Sequence, residues 1–333
     1  MNNFKSNYNI DWLDFDDFKK EFQKVPVEEY PNNVISSIPD PKVSVRITTY
    51  QHVEFIREAI ESVLVQKTDF PFEIIIGDDD SSDGTREICI EYAQKFPNQI
   101  RLFLHKRENN VKVLGKPCGI FQITYNLFKS RSKYIAGCSG DDYWTDPFKL
   151  QKQYDFLEAH HEYSYCYHDW RFKYEEAGTS EFNFGPIINQ DRTQTLLYKN
   201  IFSKIPKSFL SVIQEDTFIK YILNIEGKRK HIPDILPSVC RIHQNNIWGV
   251  SRNPKQYKSQ ADSRINTWIK IAEAFKNTKH EKEIEYRISK ARISNIINSP
   301  EYGFSKKIYI LIGKPYLYKF IIQRVNQYIK KLI

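Results

Sequence analysis

The sequence predicts an α/β fold with a mostly parallel central sheet flanked by helices. Two patterns carry that expectation. Short apolar runs alternate with amphipathic helical stretches from Pro41 to about residue 150, the alternation that builds parallel sheets. Three polar clusters, "TTYQH", "DDDSSDGT" and "SGDDYW", each follow such a run. The carboxyl ends of strands are where open α/β sheets bind ligands.

The elements follow in order. "VSVRITTY" is the first strand, and "HVEFIREAIESVLVQ" the first helix, with Ile56, Ala59, Ile60, Val63 and Leu64 on one face. "FEIIIG" is the second strand and "DDDSSDGT" a turn, where Ser82 or Asp83 can cap the next helix. That helix, "REICIEYAQKF", carries Ile88, Tyr92 and Phe96 at helical spacing. "IRLFLH" is the third strand, "GIFQITYNLFKS" a helix and "KYIAGC" the fourth strand. Asp146 before Pro147 reads as the N-cap and first position of another helix. "YSYCYHDWRF" reads as one strand, "QEDTFIKYILNIEG" as a helix, "KRKHIPDI" and "LPSVCRIHQNN" as strands, and residues 257–298 as two helices.

Both ends differ from this pattern. Residues 1–40 read as an N-terminal arm, with Trp12, Phe15 and Phe18 on a short amphipathic helix broken by "VPVEEYPNN". Residues 41–250 form the α/β domain, and 251–333 a basic helical C-terminal extension. The net charge of +8 is concentrated there, with 18 Lys/Arg against 6 Asp/Glu from residue 251 onward. After Glu301, lysines and arginines alternate with Ile, Leu, Tyr and Phe and no acid follows. Two readings stay open for that tail: a peripheral contact with an anionic membrane, or helices packed on the domain with solvated lysines. No stretch reaches the roughly 20 apolar residues of a membrane span. The acidic, interrupted N-terminus does not read as a secretory signal. Cys89, Cys118, Cys138, Cys166 and Cys240 have no CxxC spacing, as expected of reduced thiols in a cytoplasmic protein.

The chemistry rests on the strand-end acids. Three carboxylates in "DDDS" and two in "SGDDYW" repel each other unless donors or a cation compensate. The ordered set "ITTYQHVEFIREAIESVLVQ", "FEIIIGDDDSSDGT" and "KYIAGCSGDDYWTDPFKLQKQYDFLE" resembles family-2 glycosyltransferases, above all bacterial enzymes of capsule and other surface polysaccharide synthesis. The resemblance covers residues 43–170 closely and short motifs out to about 250. It implies the GT-A fold of nucleotide-diphospho-sugar transferases.

It also implies roles. Thr48, Thr49 and Tyr50 match the segment that cradles the nucleoside base. Asp79 matches the acid that accepts from uracil N3–H, and Asp78 either touches donor or holds the turn. The family usually has Gly where Asp80 stands. Asp141 matches the last acid of an Asp-any-Asp motif that holds Mg²⁺ or Mn²⁺ against the diphosphate, but Ser139 replaces the first acid. Asp142 and Trp144 are expected to line the sugar pocket. Asp216, with Glu215 next, matches the acids that hold the catalytic base. "VCRIHQNN" resembles a segment that closes over the diphosphate, giving Arg241 as a donor contact and His243 as a metal ligand, with Cys240 in place of an aromatic. Lys116 reads equally as a phosphate contact or a solvated lysine.

The leading expectation is therefore a cytoplasmic, metal-assisted, inverting transferase, peripheral on the inner membrane face if the tail binds lipid. Its substrates would be a nucleotide-sugar donor and a glycan or lipid-linked acceptor. Ser139 keeps a second reading open, a catalytically impaired nucleotide-sugar-binding module acting through a partner. Nucleic-acid binding is disfavoured, because the basic excess is confined to the C-terminal part and no nucleic-acid motif is present.

Overall fold

The computed structural model describes residues 10–175, 184–243 and 254–298. The strands that organise it are β1 (Glu28–Glu29), β2 (Val43–Thr49), β3 (Phe72–Asp78), β4 (Ile100–Leu104), β5 (Tyr134–Ser139), β6 (Tyr163–Tyr167), β7 (Trp170–Tyr174), β8 (Leu197–Lys199), β9 (Lys228–His231) and β10 (Ser238–Ile242). One sheet runs in the order β9-β6-β8-β5-β2-β3-β4-β1. Its centre, β5-β2-β3-β4, is parallel. β8 runs antiparallel between β5 and β6, and β1 antiparallel on the far edge. β7 and β10 pair in parallel in a second, two-stranded sheet.

Strand alternation explains how both faces are covered. Val43, Val45 and Ile47 of β2 point into one layer with Ile74 and Ile76 of β3 and Ala136 of β5. That layer holds α2 (Ile56–Leu64), α3 (Thr85–Lys95) and α5 (Lys149–Ala159) through Ile60, Val63, Tyr92, Leu150 and Leu157. Ile75, Phe103 and Ile135 point the other way, towards α4 (Ile120–Lys129) and α6 (Glu215–Glu226). Each period-2 strand thus supplies both cores. The parallel register aligns Thr48 with Gly77 and Ser139, and Thr49 with Asp78. The polar clusters consequently emerge at one edge of the sheet.

Several sequence readings need correction. "YSYCYHDWRF" is two strands in two sheets, because His168 and Asp169 leave the ladder. His168 Nε2 meets Ser238 Oγ at 3.2 Å, and the Asp169 carbonyl accepts from the Ser238 amide at 3.1 Å. β8 was not legible, since three residues give too short an alternation. Asp146 is not the cap of α5, which starts at Lys149 with Phe148 as its N-cap. Its carboxylate accepts instead from the Phe148 and Leu236 amides and pairs with Lys152 at 2.9 Å.

The described part of the N-terminal arm packs on the domain. Helix α1 (Phe15–Phe22), capped by Asp14, buries Phe18 completely against Phe121 and Phe128. Two helices, α7 (Pro254–Ala274) and α8 (Glu281–Asn298), add Ile271 and Ile284 to the same core, and Phe275, in the turn between them, joins it. No helix among the described residues is long and apolar enough to cross a membrane. The basic segment after Glu301, with both readings made of it, lies outside the described residues.

Because Phe18 closes this core, Phe18→Ala is expected to destabilise the whole domain by about 3 kcal/mol. Urea unfolding checks this. A loss below about 1 kcal/mol would mean that α1 docks without supporting the sheet.

Candidate active site

Two loops at the sheet edge are stitched together by side chains. Gln51 donates its amide to Ser81 Oγ at 3.0 Å, and the Ser82 amide donates to Gln51 Oε1 at 2.8 Å. Asp83 accepts from the Val53 amide and, with its other oxygen, from Thr85 at the start of α3. Asp80 has φ of 63°, a left-handed conformation that Gly adopts freely and Asp tolerates. Asp80 therefore holds without glycine the left-handed conformation that the turn requires. Lys106 at 3.1 Å and Arg86 at 3.4 Å offset its charge.

Each of the two preceding acids uses Oδ2 and leaves a buried Oδ1 without a hydrogen-bond partner, but their surroundings differ. Asp78 is fully buried, with Arg86 Nε at 2.6 Å and the Ser81 amide at 3.2 Å on Oδ2. It holds the turn. Asp79 receives Arg107 and Asn110 on Oδ2, each at 2.9 Å, while its buried Oδ1 has no hydrogen-bond partner. Burial pushes its carboxyl up to about 6 despite the pull of Asn110 and Arg107. The Arg107 guanidinium lies 4.0 Å from the centre of the half-exposed Tyr50 ring. Tyr50, Arg107, Asn110 and Asp79 thus form one cluster of contacts after β2 and β3.

At the end of β5 the chain passes very close to β2. The Gly140 amide donates to the Thr48 carbonyl at 2.9 Å, and a Cβ on Gly140 would meet Thr49 Oγ1 at 2.5 Å. Only glycine lets the acidic motif approach this way. Asp141 Oδ2 lies 3.3 Å from His243 Nε2 and 3.9 Å from His52 Nε2. His52 is itself held by Thr49 Oγ1 at 3.1 Å. Burial raises the Asp141 carboxyl, but the hydrogen bond from His243 and the field of His52 outweigh it and leave it below the usual range. Ser139, beside Thr48 in the ladder, adds no charge.

The expected roles of three neighbours do not match their surroundings. Asp142 is buried and accepts from the Arg241 amide at 3.1 Å; burial and Asp141 push its carboxyl well up. Trp144 is 4% exposed and packs in the core with Lys149 Nζ 4.0 Å from its ring centre. It is a packing residue, not the wall of an open pocket. Arg241 is 2% exposed, between Phe55 and Tyr143. Its guanidinium bonds Glu58, Glu175 at 3.1 Å and the Asp141 carbonyl at 2.8 Å. It positions Asp141 and keeps β10 against α2.

Glu215 and Asp216 open α6 after Gln214. Asp216 accepts from Lys220 at 2.9 Å and from the Thr217 amide at 2.7 Å. Although burial raises it, Lys220 holds its carboxyl low. Lys220 is shared with Asp191, which also receives Arg229 at 2.9 Å and Tyr165 at 3.1 Å. Glu215 has the opposite balance: burial and then Asp216 push it up, against a weaker pull from Arg46. The Cys118 thiol, on the hairpin 111–118, is raised by burial and then by both Glu215 and Asp79. That hairpin therefore lies near both acids, and Lys116 is on its exposed rim. His52, Arg107, Asn110 and Lys220 were assigned no role from sequence; His52, Arg107 and Asn110 gave a signal by following strand ends, and Lys220 gave none.

The family model for glycosyl transferase family 2 matches residues 44–212. An uncharacterized protein of Mycobacterium tuberculosis is 32% identical over 221 residues, which is 62% of this chain and 60% of that relative's length. The dTDP-rhamnosyl transferase RfbG of Shigella flexneri is 23% identical over 75% of this chain and 84% of its own. The fold matches S. aureus TarS 1–349 in complex with UDP-GlcNAc, with a TM-score of 0.52 and 18% identity over 80% of this chain and 76% of that one.

Proposed function

Because this chain belongs to glycosyl transferase family 2, we propose that it transfers a sugar from a nucleotide-diphosphate donor, a UDP-sugar first, with inversion. The acceptor is a glycan or a lipid-linked glycan, in the synthesis of a bacterial surface polysaccharide. The observation that carries the donor reading is the buried, partnerless Oδ1 of Asp79 beside Tyr50 and Arg107. Uracil presents an N3–H donor, which only an acceptor such as a carboxylate oxygen can satisfy. Thymine presents the same edge, so a dTDP-sugar is the other donor to screen.

A divalent cation fits the residues present. Asp141 Oδ2 and His243 Nε2 stand 3.3 Å apart, and with the imidazole nitrogen deprotonated one ion would take both as ligands. Among the described residues no three His, Cys, Asp or Glu side chains could hold an ion by themselves. Mg²⁺ or Mn²⁺ bound by few protein groups takes its remaining ligands from phosphate oxygens and water, and when bound it would neutralise the departing diphosphate. Ser139 supports the second reading, a nucleotide-sugar-binding module with little turnover. Donor hydrolysis followed across a metal titration separates the two.

In the transferase reading Asp141 orients the diphosphate end, Asp79 and Tyr50 fix the base, and an acid at the start of α6 takes the acceptor hydroxyl's proton. Asp216 is the proposed base. Lys220 holds it ionised across the physiological range, at the expense of proton affinity, while Glu215 binds protons more tightly and is the alternative. The basic segment after Glu301 is proposed as a peripheral contact with the inner membrane face.

Two experiments test this. Asp216→Asn is expected to lower kcat by roughly two to four orders of magnitude with donor affinity unchanged; equal damage to donor binding would make Asp216 structural. If Glu215 is the base instead, kcat rises with pH as Glu215 loses its proton, and Glu215→Gln removes that limb. The second is a pH titration of UDP-glucose affinity by calorimetry, since its diphosphate diester keeps its charge throughout. Asp79 must be ionised to accept N3–H, so affinity is full above about pH 6 and falls by up to about tenfold per unit below. Asp79→Asn should flatten the profile. A flat wild-type profile would remove Asp79 from the base site.

A further inference from the structure

One cation near the two acidic centres is not paired with any of them. Arg192 starts the short turn that crosses β5. Gly137 makes room for that turn, since a Cβ there would meet Thr193 Cγ2 at 2.7 Å. The Arg192 guanidinium carbon lies 4.2 Å from the centre of a Trp170 ring and 5.7 Å from that of Phe172. One N–H reaches Cys240 Sγ at 3.3 Å. Stacking on Trp170 and this weak contact hold the plane of the group without using its other donors.

The nearby acids are each satisfied by something else. Asp142 accepts from the Arg241 amide, Asp216 from Lys220, and Asp191 from Lys220, Arg229 and Tyr165. Arg192 forms no ion pair with a carboxylate among the described residues, although its neighbour Asp191 shares Lys220 with Asp216, and Cys240, which it touches, precedes the Arg241 amide that bonds Asp142. A half-buried, pre-oriented guanidinium with unspent N–H groups is suited to bidentate recognition of a carboxylate or phosphate.

We propose that Arg192 binds an anionic group, a carboxylate or a phosphate, carried by one of the two sugars that meet at this site. The proposal deepens the transferase reading and rests on it. Asp142 ends the acidic motif and Asp216 opens the helix of the proposed base, so these contacts place Arg192 near both substrate sides. It follows that the transferred sugar or the acceptor is acidic, and that Arg192 selects it over a neutral one.

The test uses the full chain and matched pairs of probes. Calorimetry compares UDP, UDP-glucose and UDP-glucuronate on the donor side. Ligand-observed NMR compares methyl glucoside with methyl glucuronide, and glucose with glucose 6-phosphate, on the acceptor side. The wild type is expected to prefer the charged member of at least one pair by about tenfold, the scale of one charge-assisted contact. Arg192→Gln should abolish that preference while UDP affinity stays within about twofold. A preference in the donor pair puts the anion on the transferred sugar, and one in an NMR pair puts it on the acceptor.

Equal binding of charged and neutral probes by the wild type overturns the proposal, as does a preference that survives Arg192→Gln. If Arg192→Gln does not fold, Arg192→Lys decides: the charge remains but the planar fork is lost, and an undiminished preference overturns the bidentate role. Failure of UDP to bind would overturn the nucleotide reading alone, because the NMR pairs still report on Arg192.

Discussion

Carboxylates gathered at the ends of parallel strands must each be compensated, and that constraint organises this molecule. Desolvation and mutual repulsion both oppose ionisation there. The fold answers with separate partners drawn from different elements: Arg86 for Asp78, Arg107 and Asn110 for Asp79, His243 for Asp141, the Arg241 amide for Asp142 and Lys220 for Asp216. Arg241 shows how far the arrangement reaches. It joins residues 183 positions apart in sequence, Glu58 and itself, while bonding the carbonyl of Asp141.

Compensation is incomplete in an informative way. On the acidic side the buried Oδ1 atoms of Asp78 and Asp79 have no donor, and on the basic side Arg192 forms no ion pair with a carboxylate among the described residues. Buried polar atoms are usually satisfied, so the orphan oxygen of Asp79, beside Arg107 and Tyr50, is the proposed partner of a ligand's N–H. The departures from the family pattern are of two kinds. Asp80 changes little, because Asp accepts the φ of 63° that the turn requires. Ser139 contributes no charge to the proposed cation site, and no other residue of β5 is charged.

The layered core was legible in sequence because buried parallel strands such as "FEIIIG" are apolar on both faces and the helices carry a clean 3.6-residue period. The acids of the site were legible as motifs, and the family model confirms the family they point to. Three kinds of feature were not. β8 and β1 are too short to show a period. The break at His168 depends on Ser238, seventy positions away. Arg107 and His52 are ordinary residues whose approach to Asp79 and Asp141 crosses long stretches of sequence, and Lys220, four residues after Asp216 on one helix, reads like any i,i+4 ion pair. Trp144 shows the converse: its place beside the motif suggested a pocket wall, but local packing around Lys149 takes it into the core.

In the proposed reaction these strand-end acids make the chain an inverting transferase for a nucleotide-linked sugar. The most direct measurement is the anomeric configuration of the product formed from an α-linked nucleotide-sugar donor, read by proton NMR under single-turnover conditions. A single displacement assisted by a base on α6 gives a β-linked product. An α-linked product, or no transfer from any UDP- or dTDP-sugar by the folded chain, would contradict the account.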